Sequence, residues 1–347
     1  MLRTEEFTML DLLKKYTAVS SVSGNEKELR NLIIDEIKDH TDDLRVDGLG
    51  NLIVFKKGKK TPINRTMLDA HMDEIGLIVT TATSDGYLRF SKVGGIDNRV
   101  IFGKRVRIGD ICGVIGGCAV HLLSSDKRKA IVDADELYID IGAKSKDEAL
   151  SLVPAGSVAV FESKFYETDT TFFARGIDDK IGCAVLTHMI KNYDEYDMYY
   201  SFSVQEEVGC RGAKVTAYNI DPKCAIAVEC TTAADISGVP DDRNVCCLSN
   251  GAALSLMDNG TLYDAELVYN VADTAEKYGA KTQMKKAVAG GNNASALHLT
   301  RCGVKTIAVS LPCRYIHSPN GIANKEDAMS VYKTVVAAAN KMAAGEI

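Results

Sequence analysis

Tryptophan is missing from this chain, and proline is scarce, with 6 among 347 residues. No run approaches the roughly 20 consecutive apolar residues of a membrane-spanning helix, so no membrane partner is expected. Basic side chains (41) are outnumbered by acidic ones (47), for a formal net charge of −6. A mildly acidic chain without a long basic run is a poor nucleic-acid binder. The opening MLRTEEFTMLDLLKKY carries acids where a secretory signal is apolar, so a cytoplasmic location is expected. Cys-x-x-Cys pairs are absent too, although there are ten cysteines, at 112, 118, 183, 210, 224, 230, 246, 247, 302 and 313. That absence excludes zinc-finger and thioredoxin-like readings. The cysteines are expected to be reduced and mostly small, buried and apolar.

What is present fits a soluble globular protein: 46 % apolar and 25 % charged residues, values that exclude a disordered chain. The length is about twice that of a common domain. Residues 5–18 read as an amphipathic helix, with Phe7, Leu10, Leu13 and Tyr16 near helical spacing. Ser23-Gly24-Asn25-Glu26 has the form of a capping box opening a second helix to about residue 39. Two short strands flank a turn at 47–51, and residues 64–71 read as a buried strand ending in polar residues.

From 75 to 167 short β-like runs alternate with Gly, Asp and Ser clusters, with one short helix expected at 146–150. That pattern predicts a small all-β domain or barrel. After 168, strands and helices alternate: helices at 181–190, 262–278, 294–301 and 325–342, strands at 198–204, 224–229, 281–285 and 305–311. The expected fold is therefore α/β, a three-layer α/β/α domain with a mostly parallel sheet, formed by residues 1–74 and 168–347 and interrupted by the β insert 75–167.

Sites in such folds lie at the carboxyl ends of strands. Five places put polar residues just after strand-like runs. His71 and Asp73 follow MLDA. Asp178 and Asp179 open a helix, where they could be simple caps or could bridge cations. Glu206 and Glu207 follow YYSFSV, and a buried carboxylate is costly unless paired or metal-bound. Glu229 closes CAIAVE, with Asp235 six residues on. His317 follows TIAVSLP. Each alone has an ordinary structural explanation. Together, histidines and carboxylates without cysteine form the ligand set of a catalytic zinc or cobalt pair, with manganese also compatible.

At these residues the sequence resembles the dinuclear metallo-aminopeptidases that include the TET (tetrahedral) and the bacterial glutamyl and deblocking aminopeptidases, some of them named endoglucanase- or cellulase-like. The matching stretches are AHMDEIGLIV (70–79), RGIDDKIGCAVL (175–186), SVQEEVGCRGA (203–213), AVECTTAADISGVP (227–240) and SLPCRYIHSP (310–319). The resemblance implies two divalent metal ions per subunit. His71 and Glu229 would ligate one, Glu207 and His317 the other, and Asp178 would bridge them beside a cis 178–179 peptide. Asp73 would orient His71, and Glu206 would be the general base that activates a metal-bridging water. It further implies a PDZ-like insert that mediates dimerisation, a hollow tetrahedral dodecamer, and short peptides as substrates. Two departures stand out: Glu229 where many relatives have Asp, and Asn292-Asn293 in the turn Gly290–Ala294, where relatives commonly show Gly-Gly-Thr-Asp-Ala. The competing readings are a glycoside hydrolase and a scaffold with a decayed site. The absence of tryptophan and the two histidines argue against the first, and the presence of both histidines argues against the second.

Overall fold

A computed structural model describes residues 2–346, with side chains described from residue 9 onward, so Phe7 lies outside the described side chains. The chain opens with α1 (Leu2–Ala18) and α2 (Lys27–Ile37), then β1 (Asp43–Val46), β2 (Leu52–Lys56) and β3 (Thr66–His71). A second group follows: β4 (Gly76–Ala82), β5 (Leu88–Val93), β6 (Arg105–Ile108), β7 (Ile111–Gly116), α3 (Ser125–Lys129), β8 (Tyr138–Asp140), α4 (Lys146–Leu152) and β9 (Val158–Phe161). Its six strands close into a barrel in the order β4-β5-β8-β7-β6-β9. Alternate residues such as Leu77, Val79, Leu88, Phe90 and Ile139 point inward and form a core separate from the main one. The helix expected at 146–150 is α4; the acidic and basic run forming α3 is a helix that the sequence reading missed.

The rest of the chain supplies β10 (Tyr166–Glu167), β11 (Thr171–Ala174), α5 (Ile177–Asn192), β12 (Met198–Ser203), α6 (Arg211–Ile220), β13 (Cys224–Thr232), β14 (Ala252–Leu254), α7 (Ala265–Lys277), β15 (Thr282–Met284), α8 (Ala294–Leu297), β16 (Lys305–Arg314), β17 (Gly321–Asn324) and α9 (Lys325–Ala343). With β1–β3 they build an 11-stranded sheet whose main path runs β1-β2-β12-β3-β13-β16-β17-β11-β10. The centre, β12-β3-β13-β16, is parallel. Both flanks are antiparallel, so the sheet is mixed rather than mostly parallel as expected. Connection length accounts for three of the five antiparallel pairs on this path. Parallel neighbours need a crossover of a dozen residues or more, whereas β1–β2, β10–β11 and β16–β17 are joined by short turns.

Helix α5 is buried almost all round, from Ile181 to Ile190, which matches its lack of a polar face. It packs against β3, β13, α1, α2 and α9, while α6 and α8 pack on each other and on the sheet. The sequence reading missed α6. Its buried positions, Gly212, Ala213, Thr216, Ala217 and Ile220, keep helical spacing but are mostly small or polar, so the apolar signal is weak. The short strands β10, β11, β14 and β17 were missed because each has four residues or fewer, too short to show a period. Where a helix was expected at 294–301, α8 ends at Leu297 and the chain continues as a turn.

Candidate metal centre

The four parallel strands end side by side, and each leads to at least one of the expected residues. Parallel pairing sets Ser203 beside His71 and Ala227 beside Asp69, so Glu229 on β13 is level with His71 on β3. Glu206 and Glu207 follow β12, and His317 lies in the turn after β16. Asp178 comes from the start of α5, where Asp178 and Asp179 depart from helical geometry and their peptide bond is cis. This convergence at strand ends is the usual place for a site in an α/β sheet.

The side chains form two sets that share Asp178. In one, His71 Nε2 lies 3.3 Å from Asp178 Oδ1 and 3.5 Å from Glu229 Oε2. In the other, His317 Nε2 lies 3.3 Å from both Asp178 Oδ2 and Glu207 Oε2. Bonds of about 2.0–2.2 Å to a four-coordinate ion place neighbouring ligand atoms about 3.3–3.6 Å apart. The observed separations have that value, and each set could hold one metal ion. Glu206 Oε2 stands 3.9 Å from His71 Nε2, beside the first set.

The electrostatics also favour cations. Asp73, Asp178, Glu206, Glu207 and Glu229 face two imidazoles. Asp178 Oδ1 and Glu207 Oε1 are buried without a hydrogen-bond partner, a costly state that a bound cation would relieve. Burial raises the carboxyls of Glu206, Glu207 and Glu229, with neighbouring negative charges adding to the effect. For Asp178 burial is outweighed by His317 and His71, which hold it below the usual carboxylate range. Burial would lower both histidines, but the surrounding carboxylates outweigh it. His317 is raised to about 9 and His71 is raised well above its ordinary value.

A second layer holds these groups. His71 Nδ1 is 2.9 Å from the backbone oxygen of Asp73, with the Asp73 carboxylate farther off at 3.5 Å. That carboxylate mainly anchors the loop after β12, accepting the N–H groups of Glu206 (2.9 Å) and Glu207 (3.1 Å). The expected capping box does not form. The Ser23 hydroxyl donates to Asp73 Oδ2 at 2.6 Å, and α2 starts behind Glu26 without a side-chain cap. Helix-start residues thus serve the site instead, because Asp73 offers a buried charged acceptor. Asp179 accepts from the backbone N–H groups of Gly182 (3.1 Å) and His71 (3.3 Å). A Cβ on Gly182 would lie 2.3 Å from Asp179 Oδ2, which explains glycine inside this helix.

Three further features escaped the sequence reading. Glu74 is clamped by Arg175 and by Lys180 (2.7 Å), tying the exit of β3 to the start of α5. The available signal was an acid, Glu74, in the first matching stretch and two cations, Arg175 and Lys180, in the second. His317 Nδ1 lies 3.0 Å from the backbone oxygen of Gly95, which belongs to the loop between β5 and β6. A main-chain contact of that kind has no sequence signature. Cys210 donates to Glu206 Oε1 at 3.4 Å. All ten cysteines are free, as expected, but only Cys183, Cys224, Cys246 and Cys313 are buried; three are half-buried and Cys112, Cys118 and Cys302 are exposed, which corrects the expectation of mostly buried positions. Asp235 pairs with Arg314 at 2.7 Å, outside both ligand sets.

Known proteins resemble this chain over most of its length. Residues 50–333 match the family described as M42 glutamyl aminopeptidase. The chain is 39 % identical over 338 residues to a protein of Acetivibrio thermocellus named as an aminopeptidase, covering 96 % of this chain and 99 % of that one. It is 32 % identical to the lysyl aminopeptidase of Pyrococcus furiosus, covering 93 % and 94 %. Among solved structures it is similar to the Pyrococcus horikoshii TET1 peptidase, with 37 % identity, a TM-score of 0.83 and coverage of 95 % and 98 %. This chain belongs to the M42 glutamyl aminopeptidase family, a family of peptide hydrolases.

Proposed function

We propose that the chain is a dinuclear metallo-aminopeptidase that releases the N-terminal residue of short peptides. One observation carries the reading: two histidine–carboxylate sets face opposite oxygens of one carboxylate, Asp178. His71, Asp178 and Glu229 would hold one ion, and Asp178, Glu207 and His317 the other. Zinc, cobalt and manganese all suit such ligands. When bound, such ions supply Lewis acidity, lowering the pKa of water and polarising a carbonyl oxygen.

The chain's own residues supply positioning and proton transfer. Glu206 lies beside the first set without belonging to either, and Asp73 fixes its backbone. It takes a proton from the attacking water as the new C–O bond forms at the first peptide carbonyl. It returns that proton to the amine as the C–N bond breaks. Asp73 acts here as a positioning residue, through its carbonyl on His71 and its carboxylate on the 206–207 backbone. Glu229 would join the first set because its strand backbone is level with His71.

Residues 1–74 and 168–347 would form a three-layer catalytic domain, with the PDZ-like barrel of 75–167 as the dimerising insert. The TET1 peptidase of Pyrococcus horikoshii can assemble into a tetrahedron or a large octahedral shell. By analogy, dimers of this chain would build a tetrahedral dodecamer that admits short unfolded peptides.

The test is metal content measured together with hydrolysis of aminoacyl-nitroanilides. We expect two ions per chain, and activity lost to a chelator and restored by zinc or cobalt. Full activity in metal-free protein would overturn the reading.

A further inference from the structure

Asn293 touches the site only through its backbone, yet its side chain is fully buried. Its N–H donates to Glu229 Oε1 at 3.1 Å, leaving Oε2 to face His71. Although Asn293 precedes α8, its side chain makes no cap bond. It turns instead toward the sheet. Nδ2 donates to Asp69 Oδ2 at 2.7 Å and to Ser203 Oγ at 2.9 Å. Ser203 Oγ in turn lies 3.1 Å from the same Asp69 oxygen. Asp69, Ser203 and Glu229 stand on β3, β12 and β13, three adjacent strands. The turn that carries Asn293 is thus fastened across the sheet next to Glu229.

We propose that Asp69 and Asn293 are a matched acid–amide pair whose task is to position Glu229, and through it the His71/Asp178/Glu229 ligand set. The inference rests on the dinuclear reading above. The chemistry of the pair is specific. An amide at 293 supplies two donors to acceptors that are closed off from water. A carboxylate there would remove both donors and set two acceptors face to face, a buried mismatch. Exchanging the two residues restores one donor opposite one acceptor. Asp69 and Asn293 act through Glu229 and are positioning residues, as are other groups that hold metal ligands from behind.

The test is cobalt(II) titration of the metal-depleted protein, followed by its visible absorption, with Glu229→Ala marking the binding step that belongs to the first set. Asn293→Ala and Asn293→Asp should each weaken that step by about 10- to 100-fold. The other step should be weakened less, because Asn293 bonds to Glu229, Asp69 and Ser203 and to neither Glu207 nor His317. The double variant Asp69→Asn/Asn293→Asp should bring the first step back to within about threefold of the wild type. Both single variants binding cobalt like the wild type would overturn the pairing. So would a double variant that binds no better than Asn293→Asp, or that fails to fold. A wild-type protein that takes up fewer than two cobalt ions would instead overturn the dinuclear reading, and the pairing with it.

Discussion

Glu206 and Glu207 are neighbours in the chain but face different histidines. Gln205 has a positive φ of 57°, and the turn it makes sends Glu207 toward His317 while Glu206 stays beside His71. Burial and the neighbouring Glu206 charge push the Cys210 thiol up to about 12, so it remains a donor to Glu206. The proton-transfer role predicts that Glu206→Gln lowers kcat by about 10²- to 10⁴-fold while both metal ions stay bound. Metal analysis beside steady-state kinetics checks this, and an active Glu206→Gln protein would sink the role. Both residues were legible in the sequence as acids following a buried strand. Their division was expected only from the family resemblance, because it depends on which histidine each one meets.

At the scale of elements, the clamp on Glu74 joins the end of β3 to the start of α5 and so fixes His71 relative to Asp178. Burial would raise this carboxyl, but Arg175 and Lys180 outweigh burial and hold it down to about 2. Lys180, buried beside a second cation, is pushed down to about 8. Because the folded-state value of Glu74 lies below its ordinary 4.5, its stabilisation is present above about pH 4.5 and is lost as pH falls toward 2. Glu74→Gln leaves two buried cations without their partner and should cost about 3–5 kcal/mol at pH 7. Denaturant unfolding of both proteins checks the prediction. The difference between them should shrink steadily from pH 4.5 to 2, and a difference independent of pH would refute it. Sequence reading recognised both stretches but not the bond between them, since 101 residues separate Glu74 from Arg175.

At the scale of the molecule, the barrel and the sheet have separate hydrophobic cores, yet the barrel segment reaches the site through Gly95. Whatever fixes the barrel therefore also bears on His317. No helix among the described residues is long and apolar enough to cross a membrane. The proposed assembly predicts a light-scattering mass of twelve chains in solution, with dimers as its building unit. It also predicts that a short peptide is trimmed while a folded protein with the same N-terminal residues is spared. A monomer at micromolar concentration would refute the assembly, and equal cleavage of both substrates would refute the enclosure.

The amino-acid order alone determined the α/β character, the β insert and the residues gathered at the site. Strand and helix periods are local, and polar groups after apolar runs mark strand ends. It could not determine the mixed sheet, because β2–β12 and β11–β17 pair antiparallel across more than a hundred residues of chain. A bridging Asp178 was expected from the family resemblance, but not its 3.3 Å approach to each histidine, the anchoring of residues 206–207 by Asp73, or the link from Asn293 to Asp69. Those depend on atoms brought within about 3 Å by folding. A buried donor or acceptor is satisfied by whatever the tertiary structure places beside it, and linear spacing carries no record of that neighbour.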